Sequence, residues 1–192
     1  MQRENGILIG VVTDLQDPDG LGRVRVRFPY LGDQESYWAK VSSPMAGNNR
    51  GVFFRPEVDD ELLIAFEMGD PRRAYVLGAL WSKVDPPPPD DGKPTENNWR
   101  FIQSRSGHIF KFDDTKGSER IEIIDKDKRH KIIIDSSGDK IQIVCDSGNI
   151  EIKAPAGKLQ IDAVDVEVKA SGSMKLEATG EVKISGSVVN IN

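Results

Sequence analysis

Short pairs of apolar residues, each with one residue between its two members, recur nine times along the second half of the chain. An i, i+2 spacing puts both side chains on the same face of a β-strand. Because successive pairs begin about eight residues apart, the pattern predicts repeated strands of about five residues, each followed by a turn. The pairs are Ile121/Ile123, Ile132/Ile134, Ile141/Ile143, Ile150/Ile152, Leu159/Ile161, Val166/Val168, Met174/Leu176, Val182/Ile184 and Val189/Ile191.

A repeat of this length is too short to enclose a core by itself. Solenoids that fold from one chain use repeats of about 20 residues or more, and a single narrow coil would leave many backbone groups unpaired. Three identical chains that wind together solve both problems, because each chain then supplies one face of a shared prism. We therefore predict a homotrimeric, intertwined triple-stranded β-helix about 40 Å long, with strands ~4.8 Å apart. The first eight pairs, from Ile121 to Ile184, are predicted to line the trimer axis.

A proline-rich segment, Ser82–Pro94, separates this region from a different one. Such a segment is extended and semi-rigid. Before it, five or six short strands without an amphipathic helix predict a small closed barrel of the OB type, since closure removes exposed sheet edges. The chain is thus predicted to be all-β, with an OB-fold domain over residues 1–81, a linker over 82–98 and a needle over 99–192, whose regular repeats begin at about residue 121.

Charge and composition exclude several classes of function. The net charge of −5 comes from residues 1–99, and residues 100–192 are balanced, so the basic excess that nucleic acid binding requires is missing. No run approaches the ~20 apolar residues of a membrane helix, and MQRENG lacks the apolar core of a signal peptide. The single cysteine excludes an intramolecular disulfide. These features predict synthesis in a bacterial cytoplasm and no nucleic acid partner.

Several acidic clusters could be taken for calcium or catalytic sites. Asp135–Asp139 and Asp146–Asn149 have the composition of ordinary turns and lack the liganding acid of a calcium loop. Glu57–Glu61 and Asp113–Asp114 offer paired carboxylates without a pocket signal. We therefore predict no enzyme activity and no catalytic, cofactor or metal site.

Cys145 continues the apolar alternation and is predicted to face inward as a small hydrophobe. Its three copies could lie close together on the axis, but the sequence places no second type of ligand beside it. The DPDGLG segment lacks the Lys-Ser/Thr of a phosphate loop and is predicted to be a hairpin turn. Arg23, Arg25 and Arg27 share one face of a strand, which we expect to contact a neighbouring subunit or a hub protein.

Three segments together resemble the central spikes of contractile injection machines: GRVRVRFP, YWAKVSSPMAGNNRGVFFRPEVDDELLIAFEMGDPRRAYVLGALW and SRSGHIFKFDDTKGSERIEI. This family includes baseplate assembly protein V of contractile-tailed phages and the VgrG proteins of type VI secretion. The resemblance runs from about Ile7 to Asn192. It implies a structural spike with an OB domain on the hub side and a trimeric β-helix at the membrane-piercing end.

The resemblance also implies partners. Only six residues precede the first predicted strand, so the hub is expected to be a separate protein at the OB end. The apolar end of the chain resembles platforms capped by a PAAR-type tip protein, with Val188, Val189, Asn190, Ile191 and Asn192 as the expected contact residues. His108 matches a family motif that suggests packing at the barrel–helix junction. The spike would belong to the baseplate of a virion or an injection particle and meet the target-cell envelope on firing.

Another function fits the same pattern. A trimeric stalk with an OB domain could serve as a receptor-binding or cell-surface fibre module. A tip domain beyond the repeat would favour that alternative, whereas neighbouring sheath, tube and hub genes would favour the spike.

Overall fold

The computed structural model describes residues 6–190, which contain β-strands and two single-turn 3-10 helices, Pro29–Leu31 and Glu67–Gly69. The protein is all-β and contains an OB-like domain, as predicted. The first eight strands are β1 (Ile7–Asp14), β2 (Arg25–Phe28), β3 (Gln34–Glu35), β4 (Lys40–Val41), β5 (Ala46–Gly47), β6 (Arg50–Gly51), β7 (Glu61–Phe66) and β8 (Ala74–Leu80). The remaining strands are β9 (Trp99–Gln103), β10 (Ile109–Asp113), β11 (Arg120–Ile124), β12 (His130–Asp135) and β13 (Lys140–Cys145).

The first sheet has the strand order β3-β2-β1-β7-β8-β4. Its two sides meet where Val24, just before β2, pairs with Ala39, just before β4. Two backbone hydrogen bonds of 3.0 and 2.8 Å join these residues, so the sheet curves into a closed barrel. Alternate residues of its strands fill the interior, and the buried core consists of Val12, Val24, Val26, Phe28, Ala39, Leu62, Ile64, Ala74 and Val76.

Close strand packing explains the glycine in the middle of β1. A Cβ atom on Gly10 would lie 3.0 Å from both Cβ and Cγ2 of Val26 on the neighbouring strand. The barrel therefore has no room for a side chain at this position.

The second sheet is an antiparallel meander with the order β13-β12-β11-β10-β9. Tight turns join its strands, and Lys128 and Asp139 adopt positive φ angles of 60° and 48° in two of them. Between the two sheets, residues 81–98 contain no strand, and the predicted linker, residues 82–98, falls within this interval.

The pairing of the first three apolar repeats differs from our expectation. We predicted that strands from about residue 121 pair with other copies of the chain, but β11, β12 and β13 hydrogen-bond to one another within one chain. Tight turns at residues 125–129 and 136–139, in which Lys128 and Asp139 adopt positive φ angles, fold these strands back on one another as hairpins.

The chain divides into two compact units, residues 1–147 and residues 148–192. Within the described part of the second unit, residues 148–190, no residue belongs to a hydrogen-bonded strand and every residue is exposed. The apolar pairs from Ile150/Ile152 to Val182/Ile184 thus have no strand partner among the described residues of their own chain. The β-helix and the trimer remain predictions.

The predicted axis residues of the second unit are exposed in the single chain, and their burial on a trimer axis stays a prediction. Ile152 is 70% exposed and Ile161 is 68% exposed. These apolar side chains are exposed because an extended segment that pairs with no other strand has no neighbour to bury them. The other predicted axis residues of this unit are also more than half exposed: Ile150, Leu159, Val166, Val168, Met174, Leu176, Val182 and Ile184.

Candidate functional site: an uncovered apolar sheet face

One face of the β9–β13 sheet carries apolar side chains from every strand. The register aligns them in two rows that cross the sheet, because residues directly opposite each other in an antiparallel pair share a face. The first row is Ile102, Phe110, Ile123, Ile132 and Ile143, and the second is Phe112, Ile121, Ile134 and Ile141. We call these nine residues the apolar face.

Within the first unit, the described residues 6–147 do not cover the apolar face. Eight of its members are exposed, and the exposed fraction reaches 72% at Ile141 and 63% at Ile143. Burying one such side chain completely stabilises a protein by about 1.5–3 kcal/mol, so this face leaves a large stabilisation unused. A contiguous apolar surface of this kind marks a contact with another protein.

The opposite face of the same sheet carries the charged residues, and these are the buried ones. Lys111, Asp113 and Glu122 are between 3% and 8% exposed. Lys111 Nζ lies 2.6 Å from a carboxylate oxygen of Glu122 and 4.0 Å from the centre of the Trp99 ring. Arg120 completes the cluster, with nitrogens 3.6 Å from Asp113 and 3.7 Å from Glu122. Since the charged face is satisfied within the chain, the apolar face is the one left for a partner.

In the second unit, polar residues alternate with apolar residues, as they do along the strands of the β9–β13 sheet. The side chains of Glu167 and Lys169 form an ion pair at 2.8 Å, and those of Lys175 and Glu177 form one at 2.5 Å. Side chains two residues apart point the same way in an extended chain. The intervening apolar residues, such as Val168 and Leu176, therefore point the other way.

All the predicted axis residues from Ile121 to Ile143 lie together on the apolar face. Those from Ile150 to Ile184, with Ile152 and Ile161 among the most exposed, are not brought into this sheet, and their place on a trimer axis stays a prediction. Sequence analysis missed Ile102, Phe110 and Phe112, which extend the apolar face by two strands. The signal was present as apolar–polar alternation in RFIQ and IFKFD. It was not connected to the repeat because these strands precede the regular pairs.

The three arginines of the barrel have contacts within their own domain, and their expected contact with a neighbouring subunit or a hub protein stays a prediction. Arg23 binds Asp17 at 2.6 Å, and Arg27 binds Asp33 at 2.6 Å. The guanidinium of Arg25 lies over the Trp38 ring, 5.0 Å from its centre. Loop acids thus pair with Arg23 and Arg27 within the domain, and the Arg23 guanidinium holds the pKa of Asp17 well below its usual range.

The exposed apolar surface of the barrel lies elsewhere, around the β5–β6 hairpin. Phe53 is 76% exposed and Phe54 is 68% exposed, and Met45 is exposed beside them. These residues border a groove of about 550 Å³ that also includes Val41 and Arg50. Sequence analysis missed this surface, although GVFF carries two adjacent aromatic residues.

The acidic clusters act as turn and contact residues. Asp135 accepts hydrogen bonds from Gly138 N–H at 2.8 Å and from the Ser137 hydroxyl at 3.0 Å. These hydrogen bonds lower the pKa of the Asp135 carboxyl. Glu57 forms an ion pair of 2.6 Å with Arg105.

Within residues 6–190 of a single chain, no three His, Cys, Asp or Glu side chains are placed to hold one metal ion. No helix in the same range is long and apolar enough to cross a membrane.

Of the predicted tip residues, Val188 and Val189 are exposed, with 73% and 48% of their surface accessible. Asn190 is exposed as well. Ile191 and Asn192 lie outside the described residues.

Comparison with known proteins identifies the barrel. Residues 8–81 match the family model of the type VI secretion system/phage-baseplate injector OB domain. Among curated proteins, the chain is 32% identical over 112 residues to the type VI secretion system spike protein VgrG4b of Pseudomonas aeruginosa, covering 54% of this chain and 14% of that protein.

Two Vibrio cholerae proteins are also similar. The type VI secretion system spike protein VgrG3 is 29% identical over 111 residues, covering 54% of this chain and 11% of its own length. The actin cross-linking toxin VgrG1 is 28% identical over 111 residues, which cover 54% of this chain and 10% of the toxin. The matched region thus spans only a small part of these relatives. With a closed β-barrel at the matched residues, residues 8–81 form an injector OB domain of this family, and the chain is similar over about half of its length to VgrG spike proteins.

Proposed function

We propose that the chain is a non-enzymatic, membrane-piercing spike at the centre of the baseplate of a contractile injection particle. The apolar face of the β9–β13 sheet is the observation that carries this proposal, because it needs a partner and the chain offers none. The injector OB domain supports a place in a baseplate. The alternation in residues 148–190 supports a needle that continues the same apolar surface.

The partner of the apolar face is two further copies of the same chain. Three copies would bury their apolar faces on a common axis, and the later apolar pairs would continue that axis from Ile150 to Ile184. Repeats of about eight residues supply one side of a triangular prism each, which favours three copies over two. The charged residues of the opposite face, which are paired within each chain, would lie away from this axis.

The mechanism of such a spike is force transmission. Contraction of the sheath drives the tube and spike forward, and a narrow rod concentrates the force on a small area of the target envelope. Strand pairing around the prism and a dry aliphatic axis would make the rod stiff, because close-packed protein interiors have low compressibility.

Two further partners complete the proposed particle. A separate hub protein would bind the OB domain, where Phe53 and Phe54 are exposed. A PAAR-type tip protein would cap the other end at Val188–Asn192. These residues are apolar or uncharged, which suits a flat protein–protein contact.

Replacing Ile143 by Asp tests the direction of the apolar face. Three carboxylates would meet near the axis, and burying unpaired charges costs several kcal/mol per ion. We expect Ile143→Asp to abolish the trimer, as measured by size-exclusion chromatography with light scattering.

The control is Gln142→Asp, which adds the same side chain to the opposite face of β13 and should leave the trimer intact. If Ile143→Asp kept the trimer and the melting temperature of the unchanged protein, Ile143 would not face the axis.

Deleting Ser187–Asn192 tests the tip contact. We expect the shortened chain to remain trimeric, because the other apolar pairs are retained, but to lose capture of a co-expressed PAAR-type protein in a pull-down. Unchanged capture by the shortened chain would place the tip contact elsewhere.

A further inference from the structure

The apolar face ends in a row of polar residues at one edge of the β9–β13 sheet. His130 and Cys145 are registered partners on adjacent strands. Both follow the alternation of the apolar face, two residues from Ile132 and Ile143 respectively. The sequence alone did not show a second ligand type beside Cys145, because only the register of β12 and β13 brings His130 to it.

Two other members of this row already have partners. His108 Nδ1 accepts a hydrogen bond from Lys126 N–H at 3.2 Å. The Asp125 carboxylate accepts one from the backbone N–H of His130 at 2.9 Å and closes the turn before β12. The Nδ1 atom of His108 and one carboxylate oxygen of Asp125 are therefore already engaged by backbone N–H groups.

His130 is different. Its Nδ1 atom is buried and has no hydrogen-bond partner among the described residues. Leaving a buried polar atom unsatisfied costs about 1–3 kcal/mol, and such an atom in a native protein commonly marks an ion or water. The Cys145 thiol beside it donates a weak hydrogen bond to the Ser147 carbonyl at 3.3 Å.

We propose that His130 and Cys145 from three copies of the chain form a transition-metal site on the trimer axis. This inference rests on the proposed function, because one chain supplies only two of the ligands. Registered neighbours have Cβ atoms about 5 Å apart, so an imidazole and a thiolate from one pair can reach the same ion at about 2.0–2.3 Å.

The ligand chemistry selects the kind of ion. Imidazole and thiolate favour Zn²⁺ and related transition metals over Ca²⁺ or Mg²⁺, which take oxygen ligands. Binding would release the proton of each coordinating thiol to solvent, because the thiolate is the ligand. An ion at this level would tie the three chains together where the hairpin meander ends and residues 148–190 begin.

Cobalt binding to the reduced, full-length protein tests the site. We expect about one Co²⁺ per three chains and a thiolate-to-cobalt charge-transfer band in the near ultraviolet, lost on addition of excess Zn²⁺. Cys145→Ser should remove the band, and His130→Gln should weaken cobalt binding by more than about tenfold. His108→Gln is the matched control and should keep both the band and the affinity.

A second measurement needs no variant. Cys145 is the only cysteine of the chain, so its alkylation rate reports directly on the site. We expect Zn²⁺ to slow alkylation by more than about tenfold, and Ca²⁺ to leave the rate unchanged.

The results separate this inference from the proposed function. A trimer that binds no cobalt and whose alkylation ignores Zn²⁺ would overturn the metal site alone. If His108→Gln weakened cobalt binding as much as His130→Gln does, the assignment of His130 as the ligand would also be overturned. A protein that stays monomeric would remove the proposed spike and the metal site together.

Discussion

Asp17 organises the loop between β1 and β2 with one carboxylate. It accepts hydrogen bonds from the backbone N–H groups of Leu21 and Arg23 at 3.0 and 3.1 Å, and it pairs with the Arg23 guanidinium. Its side chain is 2% exposed. Because these contacts favour the charged form, the pKa of Asp17 is well below its ordinary value of 3.8. The stability of the barrel therefore depends on the charge of this residue.

The pH dependence of unfolding tests the role of Asp17. A lowered pKa in the folded state contributes stability that is present above the ordinary pKa and is lost as pH falls below it. We expect Asp17→Asn to lower the melting temperature at about pH 7 and to make its decline below about pH 4 shallower. Thermal melts across this range measure both effects.

Asp33→Asn is the control, because Asp33 also pairs with an arginine but is 64% exposed. Exposed ion pairs contribute little to stability, so its melting curve should follow that of the unchanged protein. If the melting temperature of Asp17→Asn fell as steeply with acid as that of the unchanged protein, other carboxyl groups would govern the decline.

At the scale of single elements, the β9–β13 sheet is held by charge on one side and lacks a cover on the other. The ion pair between Lys111 and Glu122 is almost fully buried, with side chains 10% and 8% exposed. Removing one member of such a pair leaves a buried charge and is strongly destabilising, whereas replacing both by apolar residues can be neutral. The pair thus helps to hold β10 and β11 together on the face opposite the apolar face.

A double-mutant comparison tests this pair. We expect Lys111→Met to lower the free energy of unfolding by about 3 kcal/mol, and Lys111→Met with Glu122→Leu to recover most of the loss. Urea titrations provide the free energies. Lys116→Met, in an exposed turn, serves as the control and should change stability by less than about 0.5 kcal/mol. If Lys111→Met lowered the free energy of unfolding no more than Lys116→Met does, the buried ion pair would be unimportant for stability.

The individual strands could be predicted from sequence more easily than their pairing. Alternation is a local property, so the strands around Val24, Ile132 and Ile141 follow from the residues themselves. Register depends on turns and on distant partners, so the hairpins from β11 to β13 were missed, as was the meeting of His130 with Cys145. The acidic partners of Arg23 and Arg27 were missed for the same reason, because they lie in loops.

At the scale of the whole molecule, one chain leaves two sets of groups without partners that other copies could provide. The first is the apolar face of the β9–β13 sheet, and the second is the series of apolar pairs in residues 148–190, which form no strand hydrogen bonds in a single chain. Both follow the same two-residue alternation. A shared axis in a trimer would satisfy both sets at once.

The mass of the purified, full-length protein in light scattering is the most direct test of this assembly. We predict three times the 21.3 kDa of one chain, unchanged on dilution into the low micromolar range. The expected stability on dilution follows from the large apolar surface that each copy would bury. A stable, folded monomer would contradict the trimer and, with it, the proposed spike.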